Sequence, residues 1–140
     1  MTGKTIDQLH IGDSDEFSKT ISESDIYLFG GITGDLNPAH INEEYGKKSF
    51  FKGRIAHGML VGGFISTVIG MKLPGPGSIY REQQLNFLAP VHVGDTITAR
   101  VEIQGINTEK NKVSLRTSCV NQGGTIVVDG KAVIHPPQAG

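Results

Sequence analysis

Tryptophan is absent from this 140-residue chain, cysteine occurs once, and aromatic residues make up only 6% of it. A single cysteine excludes an internal disulfide and any zinc site built from several thiolates. Cys119 stands in an alternating pattern without a basic neighbour, which marks a buried structural thiol rather than a nucleophile. No basic run exceeds Lys47-Lys48, and 13 basic against 14 acidic residues leave a formal net charge of −1. The electrostatic footprint of a nucleic-acid binder or of a polybasic membrane anchor is therefore missing. No apolar run approaches the roughly 18 residues of a membrane span, and Met1-Thr2-Gly3-Lys4-Thr5 carries no apolar signal core. A cytoplasmic protein with no nucleic-acid and no membrane partner is expected, folded as one domain over residues 1–140.

Glycine, by contrast, is plentiful at 19 residues. Many of these punctuate loops, but Gly58, Gly62, Gly63 and Gly70 lie inside the central apolar segment. Each interior helix glycine costs up to about 1 kcal/mol relative to alanine, so the group points to close approach of another backbone or of a ligand. The segment Gly58–Lys72 is too long for a strand and too short for a membrane span, and its apolar residues surround it, which marks a buried helix. Ahead of it, residues 16–21 alternate as a strand. Ser22 then caps a helix running to about Thr33, ended by Gly34, and Asn42 caps a further helix to about Phe50.

Beyond Leu73-Pro74-Gly75-Pro76-Gly77 the period becomes two. Residues 78–88, 96–107, 112–121 and 125–135 read as four strands of an antiparallel meander, with turns at Val93-Gly94-Asp95 and Gln122-Gly123-Gly124. One face collects Ile97, Ala99, Val101 and Ile103; then Val113, Leu115, Thr117 and Cys119; then Ile126, Val128, Ala132 and Ile134. The expected fold is α+β: a five-stranded antiparallel sheet wrapped around one long buried helix, the hot-dog arrangement, with shorter helices covering the active-site loop. A lone copy leaves a sheet edge and part of the helix uncovered, so a homodimer or a multiple of dimers is expected.

The chemistry concentrates in Gly34-Asp35-Leu36-Asn37-Pro38-Ala39-His40. Pro38 interrupts helix geometry, and on the resulting turn Asp35 and His40 can face one cavity as an acid/base pair. Two other readings fit the same residues: Asp35 as a loop cap with His40 as a spacer, or a metal site with His57 as a further ligand, although that spacing is irregular for a metal. Gly58 tips the balance toward acid/base chemistry. Near the start of the long helix the N–H groups lack intrahelical partners, and they suit a carbonyl turning into an enolate. Ser66, inside the apolar helix, bonds either Asp35 or its own helix carbonyl.

Asp35-Leu36-Asn37-Pro38-Ala39-His40, His57-Gly58-Met59-Leu60 and Pro74-Gly75-Pro76-Gly77-Ser78-Ile79-Tyr80 resemble the MaoC-like (R)-specific enoyl-CoA hydratases, as does Val91-His92-Val93-Gly94-Asp95. The likeness runs from about residue 10 to 136. It implies that Asp35 and His40 activate a water for addition to C3 of a trans-2-enoyl-CoA, with a proton delivered to C2, giving a (3R)-hydroxyacyl-CoA. It further implies that the Gly58 amide holds the thioester oxygen, that Ser66 steadies Asp35, and that Asn37 and Pro38 shape the loop. No metal and no cofactor are implied, because the acyl-CoA substrate itself carries coenzyme A. The larger relatives have a second, degenerate hot-dog half, and its lack favours short or medium acyl chains.

Two rivals keep the fold but change the function: an acyl-CoA thioesterase, and a non-catalytic acyl-CoA-binding partner subunit. Lys47, Lys48, Lys52, Arg54 and Arg81 are the cations available to grip coenzyme A, each more in keeping with an ordinary solvated residue.

Overall fold

The computed structural model describes residues 2–140. After a short 3-10 turn at Ile6–Gln8 come β1 (Ser14–Thr20), α1 (Glu23–Thr33), α2 (Pro38–Ile41), α3 (Glu43–Lys48) and α4 (Gly58–Met71). Four strands follow: β2 (Ile79–Phe87), β3 (Thr96–Asn107), β4 (Lys112–Val120) and β5 (Ile126–His135). The strands form one antiparallel sheet in the order β1-β3-β4-β5-β2, curled around α4. This is the expected hot-dog arrangement. Among the described residues no helix is long and apolar enough to cross a membrane.

The sheet is not the simple meander expected. β2 does not pair with β3; it crosses to the far edge and pairs with β5. The turn Val93-Gly94-Asp95 therefore does not join two neighbouring strands. It seats against the end of β1, where Gly94 N–H donates to Ile21 O (2.9 Å) and Ile21 N–H donates to Asp95 O (2.8 Å). A second correction concerns β5. The register shifts between Cys119 and Val120, so Val127 turns inward at 0% exposure while Ile126, assigned to the core face, is 41% exposed. One extra residue in a bulge reverses the alternation beyond it.

The core joins the inner faces of β3, β4 and β5 to Val61, Phe64, Ile65, Val68 and Ile69 of α4. The composition of α4 suits burial all round, but in the single chain part of it is uncovered, as expected of a lone copy. Met59, Gly63 and Ser66 lie on one stripe that the sheet does not reach, and all three are exposed. Two of the helix glycines answer to close packing: a Cβ at Gly58 would stand 2.7 Å from the Phe87 ring, and one at Gly62 would stand 2.8 Å from Leu85. Apart from their chain neighbours and the helix's own backbone, Gly63 and Gly70 have nothing within 4 Å of that position among the described residues.

Candidate active site

Ser22 opens α1 with a reciprocal cap, its hydroxyl accepting from Asp25 N–H and the Asp25 carboxylate accepting from Ser22 N–H. Gly34 ends the helix in the left-handed region at φ 83°, a conformation that costs glycine little. The chain then reverses through a turn built by its own side chains. Asp35 N–H donates to Thr33 Oγ1, and Asn37 N–H donates to the Asp35 carboxylate at 3.3 Å. Asn37 caps α2 by accepting from Ala39 N–H (3.0 Å), with Pro38 at the first helical position, where no N–H is needed. That one-turn helix was not foreseen: a proline inside the segment argued for a break, whereas it starts a new helix.

α2 delivers His40 to the segment leading into α4. Ile55 N–H donates to Ala39 O (3.2 Å), and His40 Nδ1 lies 2.7 Å from Ile55 O. A carbonyl only accepts, so Nδ1 carries the proton, and in the neutral ring Nε2 keeps a free lone pair. Likewise, His57 Nε2–H donates to Asp35 O at 2.9 Å. A carboxylate oxygen of Asp35 and one ring nitrogen each of His40 and His57 all lie within 4.8 Å of one another. Asp35 is exposed, His40 half-buried and His57 buried. Two of the four imidazole nitrogens are thus committed to backbone carbonyls, one in each ring, and the rings stack with centroids 3.9 Å apart.

His57 also caps α4, its carbonyl accepting from Leu60 and Val61 N–H. Among the described residues no acceptor takes the N–H of Gly58 or Met59, so both donors stay open at the positive end of the helix. Beside them is an apolar cavity of about 500 Å³, whose lining includes Phe51, Ile55, Gly58, Met59, Phe87 and Leu88. Asp35 and His40 do not line it; it meets their site along residues 55–58.

Ser66 is exposed on α4, and among the described residues it makes no hydrogen bond to Asp35 or to its own helix. Arg54 is no free cation. It is 8% exposed, and its guanidinium donates to Glu23, to Glu43 (2.8 Å) and to the Tyr27 hydroxyl (2.8 Å). These bonds, Glu23 first, hold it more firmly protonated than usual. This ion cluster ties α1 and α3 to the segment beneath His40, and nothing in the spacing of residues 23, 43 and 54 announced it. Among the described residues Lys47 pairs only with Glu44, at 3.9 Å on the surface. His57, read earlier only as a possible metal ligand, turns out to be the packing centre of the site.

Such a fold, with a carboxylate and an imidazole on the turn facing the mouth of its central helix, defines a hot-dog protein of the dehydratase and hydratase type. The family model described as MaoC like domain matches residues 8–123, and the chain belongs to that family. It is 54% identical over 129 residues to an (R)-specific enoyl-CoA hydratase of Rhodospirillum rubrum, covering 92% of this chain and 89% of the relative. A 3-hydroxybutyryl-CoA dehydratase of Methylorubrum extorquens is 40% identical, with 94% and 83% covered. The solved structure of R-hydratase PhaJ1 from Pseudomonas aeruginosa in the unliganded form superposes with a TM-score of 0.94 at 40% identity, covering 99% of this chain and 88% of that one.

Proposed function

We propose that this chain is an (R)-specific enoyl-CoA hydratase, a hydro-lyase of fatty acid metabolism that adds water reversibly to trans-2-enoyl-CoA and yields (3R)-hydroxyacyl-CoA. One observation carries the reading: a ring nitrogen of His40 and a carboxylate oxygen of Asp35 lie within 4.8 Å of each other, and with Nδ1 bonded to Ile55 O the His40 Nε2 lone pair is left to act on a water between them. A water held between them gives one proton to His40 as its oxygen bonds C3. The C2–C3 π pair moves toward the thioester oxygen, where the Gly58 N–H stabilises the enolate. C2 then takes a proton from the pair, and the net addition is one H2O. Asn37 and Pro38 hold the loop through the cap described above, and the apolar cavity beside Gly58 suits a short to medium acyl chain.

The 54% identity to an enzyme of that name supports the reading. So does the 3-hydroxybutyryl-CoA dehydratase likeness, whose named substrate has the same hydroxyacyl thioester chemistry. No cofactor or metal is needed, since the substrate brings its own coenzyme A. We further assign residues 1–140 to a single catalytic domain and the protein to the cytoplasm.

A homodimer is part of the proposal. β2 is an edge strand with most of its residues exposed, among them Ile79 and Phe87. The α4 stripe of Met59, Gly63 and Ser66 is open too, and its small residues allow close approach of a second copy. Because Ser66 makes no bond to Asp35 within one chain, the steadying role we give it belongs across that interface.

The assay is crotonyl-CoA hydration. Loss of the enoyl-thioester absorbance without release of free thiol, giving the 3R product, is the expected result. Thiol release would favour the thioesterase, and an inert pure protein would favour the partner subunit.

A further inference from the structure

His57 has no part in the proton transfer above, yet it touches both groups that do. Its Nε2–H holds the backbone carbonyl of Asp35, and its ring lies against the His40 ring, centroids 3.9 Å apart and 30° between planes. Phe29 closes the site behind it at 4.8 Å. The residue is 2% exposed, and its Nδ1 is sealed from solvent with no partner among the described residues. A side chain kept only to fill this space need bury no polar atom; phenylalanine fits that task without an orphaned lone pair. The imidazole therefore answers to something other than packing.

Resting on the hydratase reading of Asp35 and His40, we propose that His57 is a positioning residue that sets the separation and orientation of that pair. One hydrogen bond from Nδ1 to Ile55 O leaves the His40 ring free to rock about the bond axis, and the stacked face of His57 removes that freedom. The Asp35 carboxylate hangs from an exposed turn, and the bond to its carbonyl fixes the peptide from which it hangs. Since His57 also directly precedes Gly58, one buried ring registers acid, base and oxyanion donor to the mouth of α4.

Three substitutions separate the two contacts. His57→Phe keeps the ring and loses the donor; His57→Gln keeps an amide N–H near the Nε2 position and loses the ring; His57→Ala loses both. With crotonyl-CoA, kcat should fall roughly 10- to 100-fold in the first two and further in the third. KM should stay within about threefold, and the melting temperature of His57→Phe should be retained. Asp35→Asn, run alongside, tests the underlying reading. If it is inactive while folded His57 variants turn over within twofold of the parent, or lose only KM, positioning is refuted and the hydratase reading stands. Activity loss that merely tracks the unfolded fraction in all three also refutes positioning, in favour of plain core packing. Full activity of Asp35→Asn overturns the catalytic pair and this proposal together.

Discussion

Replacing Arg54 with methionine tests how the site is supported from below. The guanidinium is buried and bonds Glu23, Glu43 and Tyr27, which belong to α1 and α3. Hydrogen bonds to a buried charge contribute about 1.5–3 kcal/mol each. Here Glu23 and Glu43 side chains are 57% and 50% exposed, and solvent lowers each pair to about 1 kcal/mol. The Tyr27 bond adds about 1 kcal/mol. Against this, removing a buried guanidinium returns part of its desolvation cost, while methionine preserves the apolar packing of the stem. The net loss is about 2 kcal/mol. For a chain of this length that is a fall in melting temperature of roughly 6–10 °C, measured at fixed protein concentration because the proposed dimer would contribute to stability. Arg54→Lys should fall in between, since an ammonium cannot serve three partners in fork geometry. The helices joined by Arg54 flank residues 35–40, so kcat for crotonyl-CoA should drop as well. A melting temperature within 1 °C of the parent together with unchanged kcat would refute this role.

Three further outcomes follow from single features. Burial pushes the Cys119 thiol from its usual 9.0 up to about 12. A folded-state pKa above the unfolded one leaves its contribution fully present below about pH 9 and lost as pH rises from there toward 12. Cys119→Ala should therefore flatten the alkaline fall in melting temperature while leaving activity intact, and an identical slope in parent and variant contradicts this. Gly63→Arg meets nothing within 4 Å of its own chain at the Cβ, so the fold should persist while sedimentation velocity shows dimer converting to monomer; an unaltered dimer moves the interface elsewhere. Activity should survive exhaustive treatment with a chelator, and loss restored by added zinc would revive the metal reading of Asp35, His40 and His57.

Much of the fold was legible because its signals are local. Ser22 and Gly34 bracket α1, the change from an all-apolar segment to period two separates α4 from the sheet, and Gly58 starts α4 where the N–H argument needs it. The D-x-N-P-x-H spacing likewise brought Asp35 and His40 to attention, and the structure sets them within reach of one another. What escaped was non-local or rested on a single residue. Strand order depends on which edge β2 reaches, and no periodicity within β2 encodes that. The bulge at Val127 hides because Ile126, Val127 and Val128 are all apolar, so alternation gives no register there. Arg54 looked solvated because its partners lie 31 and 11 residues away. His57 was overshadowed by the glycine after it, although a histidine at the head of an apolar helix was the available clue. The open stripe on α4 is the part of the helix a lone copy was expected to leave uncovered, but which residues form it was not legible, because small exposed residues look the same in sequence as small residues already packed.

In the proposed mechanism the His40 Nε2 lone pair and the Asp35 carboxylate act on one water. Turnover of crotonyl-CoA by His40→Gln and by Asp35→Asn measures it most directly. Each variant should keep its melting temperature and its affinity for the acyl-CoA and lose about 10²–10⁴-fold in kcat. Folded variants that still hydrate crotonyl-CoA within tenfold of the parent rate would contradict it.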